Sequence, residues 1–101
     1  MKNYVFEYYD SSNTEGSEEV AKAWGEWFGK LGDKLVDAGN PFASGGKAVE
    51  KSGVTTIENH PATGYSIVKA DSLDAAVDMA KGCPLLSSDS AAVRVYETLP
   101  M

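Results

Sequence analysis

The sequence predicts an α+β domain in the ferredoxin-like βαββαβ order, an antiparallel sheet with two helices on one face. Three observations carry that expectation. The chain opens on Tyr4-Val5-Phe6-Glu7-Tyr8-Tyr9, rich in aromatic and β-branched side chains, and closes on the alternating Ala92-Val93-Arg94-Val95-Tyr96-Glu97. Between them lie two segments with helical apolar spacing, one long and one short. A third strand-like run, Gly64–Ala70, directly precedes the short helix. At 101 residues the chain has room for a single domain, spanning 1–101.

Each element has its own signals. Asp10-Ser11-Ser12-Asn13 ends the first strand, and Ser17 offers an N-cap for the helix that follows. Glu18 and Glu19 fall in its first turn, where the helix dipole favours negative charge. Val20, Trp24, Phe28, Leu31 and Leu35 share one face, with Trp27 at its margin and Glu19, Lys22, Glu26, Lys30, Asp33 and Asp37 opposite. That spacing predicts a helix over 18–38, stopped by Gly39 and Pro41. Gly45-Gly46 and Ser52-Gly53 are turn signals, and short strand pieces at 47–50 and 54–57 fill the second strand's place. Asn59-His60-Pro61 reads as loop, because a proline biases the residue before it away from helix. Ser72 caps the second helix, whose apolar face is Leu73, Ala76, Val77 and Ala80, and Gly82-Cys83-Pro84 ends it. Right-handed crossovers place the first strand centrally, between the third and the last.

Composition excludes several roles. Nine Lys and Arg against fifteen Asp and Glu give a net charge of −6. A nucleic-acid partner would need a basic face to displace counterions, and an anionic membrane surface is disfavoured for the same reason. No apolar run is long enough to span a bilayer, so no membrane partner is expected. The single cysteine, Cys83, forms no internal disulfide and reads as a small buried hydrophobe, and a cytoplasmic, reducing location is the expectation. No cofactor fingerprint, P-loop or metal-ligand spacing occurs, so neither cofactor nor metal is expected.

Strand alternation sorts the sheet's two faces. Tyr4, Phe6 and Tyr8, with Val68, Ala70, Val93 and Val95, suit the helix side. Val5, Glu7, Tyr9, Tyr65, Ile67, Lys69, Arg94, Tyr96 and Thr98 then face away. That open face is too apolar to be solvated and too polar to be a simple core, so a second copy is expected to cover it through its own open face. Candidate catalytic residues are Glu7, His60 and Arg94, and candidate ligand-binding residues are Tyr9, Tyr65, Lys69, Tyr96 and Phe42. For Glu7 two readings stand side by side. One is a cross-strand ion pair with Arg94 or Lys69. The other is a general base of raised pKa beside a cationic anchor for an anionic substrate. Histidine is the side-chain type suited to proton shuttling at physiological pH, and for His60, beside Pro61, a turn-stabilising role competes with that role.

Gly25, Gly29 and Gly32 make a row along the first helix, each costing roughly 1 kcal/mol relative to Ala. The expectation is close packing against the small residues Ala75, Ala76 and Met79 of the second helix.

The run Gly64–Val77 with its Asp71-Ser72-Leu73-Asp74-Ala75-Ala76 core, continuing to Ala80-Lys81-Gly82-Cys83-Pro84, resembles the second half of the YCII-related (DGPF-containing) domain family. The opening strand and Trp24-Gly25-Glu26-Trp27-Phe28 are similar to the same family, so the resemblance covers nearly the whole chain. It implies a ferredoxin-like fold that pairs through its sheets into a dimeric α+β barrel, in a superfamily that includes muconolactone isomerases and antibiotic-biosynthesis oxygenases. The family's Asp-Gly-Pro-Phe motif stands here as Gly39-Asn40-Pro41-Phe42, without the acid. Some members carry a His–Asp pair with its histidine after the first strand, and residues 10–23 contain no histidine. The function expected is therefore a homodimer that binds a small organic ligand between sheet and helix, an anionic one being one option. Isomerase- or hydrolase-like acid–base activity at Glu7 is one extension, and a non-catalytic binding or regulatory module is the alternative.

Overall fold

The computed structural model describes residues 1–9 and 18–100. Its elements are β1 (Lys2–Tyr9), α1 (Glu18–Leu31), β2 (Leu35–Asp37), β3 (Lys47–Glu50), β4 (Gly53–Thr56), β5 (Ala62–Ala70), α2 (Leu73–Ala80) and β6 (Ala92–Glu97). β1, β2, β5 and β6 form one antiparallel sheet in the order β2-β5-β1-β6, the ferredoxin-like arrangement. β1 lies between β5 and β6, as right-handed crossovers require. Among the described residues no helix is long and apolar enough to cross a membrane.

The largest departure from the sequence reading is at the end of the first helix. The apolar spacing predicts helix to residue 38, but α1 stops at Leu31 and a single 3₁₀ turn, Gly32–Lys34, leads into β2. Gly32 has φ +54°, the left-handed conformation that closes helices, so the stop falls seven residues before Gly39. Leu35, placed on the helix face by its spacing, instead pairs with Val68 at the sheet edge. The second strand's place therefore belongs to Leu35–Asp37. The pieces at 47–50 and 53–56 form a separate two-stranded hairpin, β3 with β4. Gly45 (φ +89°) and Gly53 (φ +141°) supply the turns read from the sequence. The Ser17 cap and the Asp10–Asn13 strand end lie outside the described residues.

The second helix follows its signals closely. The Ser72 hydroxyl accepts a hydrogen bond from the Ala75 N–H at 3.1 Å, satisfying an orphan donor of the first turn. Ala76 and Ala80 are buried, whereas Leu73 and Val77 lie toward the surface beside Leu86, Val93 and Val95.

The core lies between the sheet and the helices. Tyr4, Phe6, Tyr8, Val68 and Ala70 from the sheet meet Trp27 and Leu31 of α1, Ala76 and Ala80 of α2, and Cys83 and Leu85 beyond it. Phe6 stacks on Trp27 with ring centroids 6.1 Å apart, and the Trp27 indole donates to the Met79 carbonyl at 3.1 Å. That hydrogen bond ties α1 to α2. The glycine row takes no part in this packing. A Cβ at Gly25, Gly29 or Gly32 would meet nothing within 4 Å, so the expected helix–helix seam is not there. The row lies on the side of α1 opposite Trp27 and Leu31.

Candidate functional site

A cavity of about 900 Å³ opens at one end of the sheet, on its helix-covered side. Three pieces of chain build it. Val20, Ala23, Trp24 and Phe28 come from α1, the segment Ala38–Ala43 forms a second wall, and Pro84, Leu85 and Ser87 close a third side. Tyr8, Thr63, Gly64 and Tyr65 supply the end of the sheet. The volume falls in the range of pockets that enclose small organic ligands, roughly 300–1,000 Å³.

Glycines hold the second wall against β5. At Gly39 (φ +75°) a Cβ would run into the Tyr65 carbonyl oxygen. The Gly39 N–H donates to the Asp37 carboxylate at 2.8 Å, turning the chain just after β2. Pro41 bridges to Gly64, where a Cβ would lie 3.1 Å from the Asn40 oxygen, and the Phe42 N–H donates to the Thr63 carbonyl at 2.8 Å. Gly39-Asn40-Pro41-Phe42 is thus a wall of the cavity rather than a helix stop.

Two groups of rings border the space. Trp24 meets Tyr8 edge to face at 5.0 Å and Phe28 at 5.6 Å. Phe42 and Tyr65 also contribute to the lining, and their rings touch at 5.9 Å at the sheet edge, where Tyr65 shares the face of Glu7 by alternation. The hydroxyls at the sheet end are paired within the protein. The Tyr8 hydroxyl donates to Ser66 Oγ at 2.7 Å, and Ser66 Oγ donates to the Ala38 carbonyl at 2.7 Å. Thr63 donates to the Tyr8 carbonyl at 3.2 Å. Burial pushes the Tyr8 phenol well above its usual pKa, so it remains a neutral hydroxyl at any ordinary pH. Ser66 is fully buried, and its two hydrogen bonds satisfy it.

The predicted site residues divide between two places. Phe42 and Tyr65 line the cavity. Glu7, Tyr9, Lys69, Arg94 and Tyr96 do not, and by alternation they occupy the open face. Glu7 stands directly across from Arg94 on one side and Tyr65 on the other. Its carboxylate takes a hydrogen bond from the Tyr9 hydroxyl at 2.6 Å, while the Arg94 guanidinium sits 4.5 Å from the centre of the Tyr9 ring. Among the described residues no ion pair joins Glu7 to Arg94 or Lys69, the first of the two readings of Glu7; Tyr9 contacts both Glu7 and Arg94 instead. The Glu7 hydrogen bond, more than burial, raises the Tyr9 pKa. His60 sits in the exposed β4–β5 connection at φ +46° and is not part of the cavity lining. Cys83 is buried, and burial pushes its thiol from 9.0 to about 11, away from nucleophilic character.

Sequence reasoning missed Tyr8, Trp24 and Phe28 as lining residues because apolar periodicity assigns them all to the core. The available signal was the density of rings: a wide aromatic face on one helix end opposite a Gly-Asn-Pro-Phe turn fills space poorly. A family model, that of the YCII-related domain, matches residues 1–99. No curated protein and no solved structure matches the chain.

Proposed function

We propose that this chain, which belongs to the YCII-related family, binds a small organic ligand in the cavity between α1, the Ala38–Ala43 segment and the end of the sheet. The cavity itself carries this reading: about 900 Å³ lined by apolar residues, the aromatic Tyr8, Trp24 and Phe28 among them, and a few polar groups. Apolar walls provide affinity by burial, and the sparse polar groups set orientation. Binding without turnover fits better than acid–base chemistry. Glu7 and Arg94 lie on the other face of the sheet, and His60 lines no part of the cavity.

The second part of the proposal is a homodimer through the open face. Val5, Tyr9, Ile67 and Tyr96 around Glu7, Lys69 and Arg94 make the kind of mixed surface that a second sheet covers. Light scattering is expected to give a dimer at micromolar concentration, and a folded monomer there removes this part.

Binding is tested by melting the protein against a panel of small aromatic compounds and following the ring resonances by NMR. Ligands are expected to raise Tm in the wild type. Ala43→Trp, at an exposed position in the wall, is expected to fill the cavity and abolish the rise. If no compound raises Tm or shifts a cavity resonance, the binding reading fails.

A further inference from the structure

The charge and hydrogen-bonding character of the cavity narrows the class of ligand. No Lys, Arg or His is among the described residues that line it, and its single charged side chain is Glu19. The hydroxyls of Tyr8 and Thr63 spend their protons within the protein, on Ser66 and on the Tyr8 carbonyl. Those two hydroxyls can still offer a guest lone pairs, and the Asn40 amide and Ser87 hydroxyl complete an uncharged polar lining. The aromatic rings offer π-faces, whose negative potential attracts cations. Among the described lining residues a carboxylate or phosphate would find no cationic side chain to offset its desolvation.

From these features we infer that the cavity takes a flat ligand bearing a protonated or quaternary nitrogen, an aromatic ammonium rather than an aromatic acid. This rests on the binding reading above and goes further in assigning the ligand's charge. It departs from the anionic option tied to Lys69 and Arg94, since both belong to the other face. The ring system lies between the aromatic groups at Trp24 and Phe42, and the ammonium is directed toward the Glu19 side of the mouth. Cation–π attraction supplies selectivity inside, and Glu19 adds a salt-sensitive contribution at the rim.

The test compares three compounds of one ring system by calorimetry near neutral pH: tryptamine, 3-ethylindole and indole-3-propionate. Tryptamine is expected to bind roughly tenfold or more tightly than indole-3-propionate, with 3-ethylindole between them. Glu19→Gln, an exposed change in the first turn of α1, is expected to weaken tryptamine roughly two- to threefold and leave 3-ethylindole unaffected. Phe42→Leu, also exposed, is expected to weaken all three and tryptamine most. If the propionate binds as tightly as tryptamine, the charge assignment is wrong while the cavity remains a binding site. If none of the three binds and the wider aromatic panel also fails, both readings fall. If the panel succeeds without any indole, the charge assignment again fails alone.

Discussion

The covered and uncovered sides of the same elements behave as two different materials. Along β1, Tyr4, Phe6 and Tyr8 are almost wholly buried, while their immediate neighbours Val5, Glu7 and Tyr9 are half-buried on the other face. α1 shows the same division, with Trp27 and Leu31 in the core and Gly25 and Gly29 facing open space. On the covered side, packing decides everything: rings stack, hydroxyls are paired, and a thiol is kept protonated. On the uncovered side the interactions are weaker and polar, as in the Glu7–Tyr9 hydrogen bond and the Arg94–Tyr9 contact. The cavity arises where the covered side ends, because the aromatic side chains of α1 project beyond what the sheet can fill.

The contrast is sharpest for a pair of truncations. Phe6→Ala, at a fully buried ring stacked on Trp27, is expected to cost about 3–5 kcal/mol in urea denaturation, a large share of a small domain's stability. Tyr96→Ala on the open face, 49% exposed, is expected to cost about 0.5 kcal/mol in a dilute monomer. A cost for Tyr96→Ala that grows with protein concentration would mean that a second copy covers that face.

The next effect is in pH. Burial raises the folded-state pKa of Cys83 above its unfolded 9.0, so the fold prefers the protonated thiol. Its contribution is complete below 9.0 and is lost as pH rises through about 11, roughly 2–3 kcal/mol in all. Cys83→Ala is therefore expected to flatten the fall in urea midpoint over that interval. The remaining fall belongs to Tyr8 and Tyr9, whose raised pKa values act at higher pH with the same sign. A variant that declines as steeply as wild type breaks the link between burial and thiol protonation.

Two glycine substitutions should differ in sign. Gly39→Ala places a Cβ against the Tyr65 carbonyl at φ +75° and is expected to destabilise by about 1–3 kcal/mol. Gly29→Ala adds a methyl to an exposed helix position with nothing beside it, and is expected to stabilise by about 0.5–1 kcal/mol. Thermal melts of the two variants check both. A destabilising Gly29→Ala would show that this side of α1 is covered in the native assembly.

How much of this was legible in the chain depended on whether a signal is local. The strand faces were readable because alternation is a property of the extended backbone, and the register across β1, β5 and β6 follows it. The Ser72 cap and the hairpin turns were readable for the same reason. The end of α1 was not. Leu35 continues the 3.6-residue apolar pattern, and only pairing with Val68 selects strand over helix there, with Gly32 permitting the break. The glycine row looked like a packing seam because periodicity gives a direction, not a neighbour.

The amino-acid sequence by itself determined the two helices, the strands β1, β5 and β6 with the face each buries, the central place of β1 and the buried character of Cys83. Each follows from hydrophobic periodicity and local backbone chemistry, which act within a few residues. Only the tertiary structure decided that β2 begins at Leu35, that Tyr9 stands between Glu7 and Arg94, and that Trp24, Phe28 and Phe42 border a cavity instead of filling a core. Those outcomes depend on which distant surfaces meet and how much volume they leave between them, and no spacing along the chain encodes that volume.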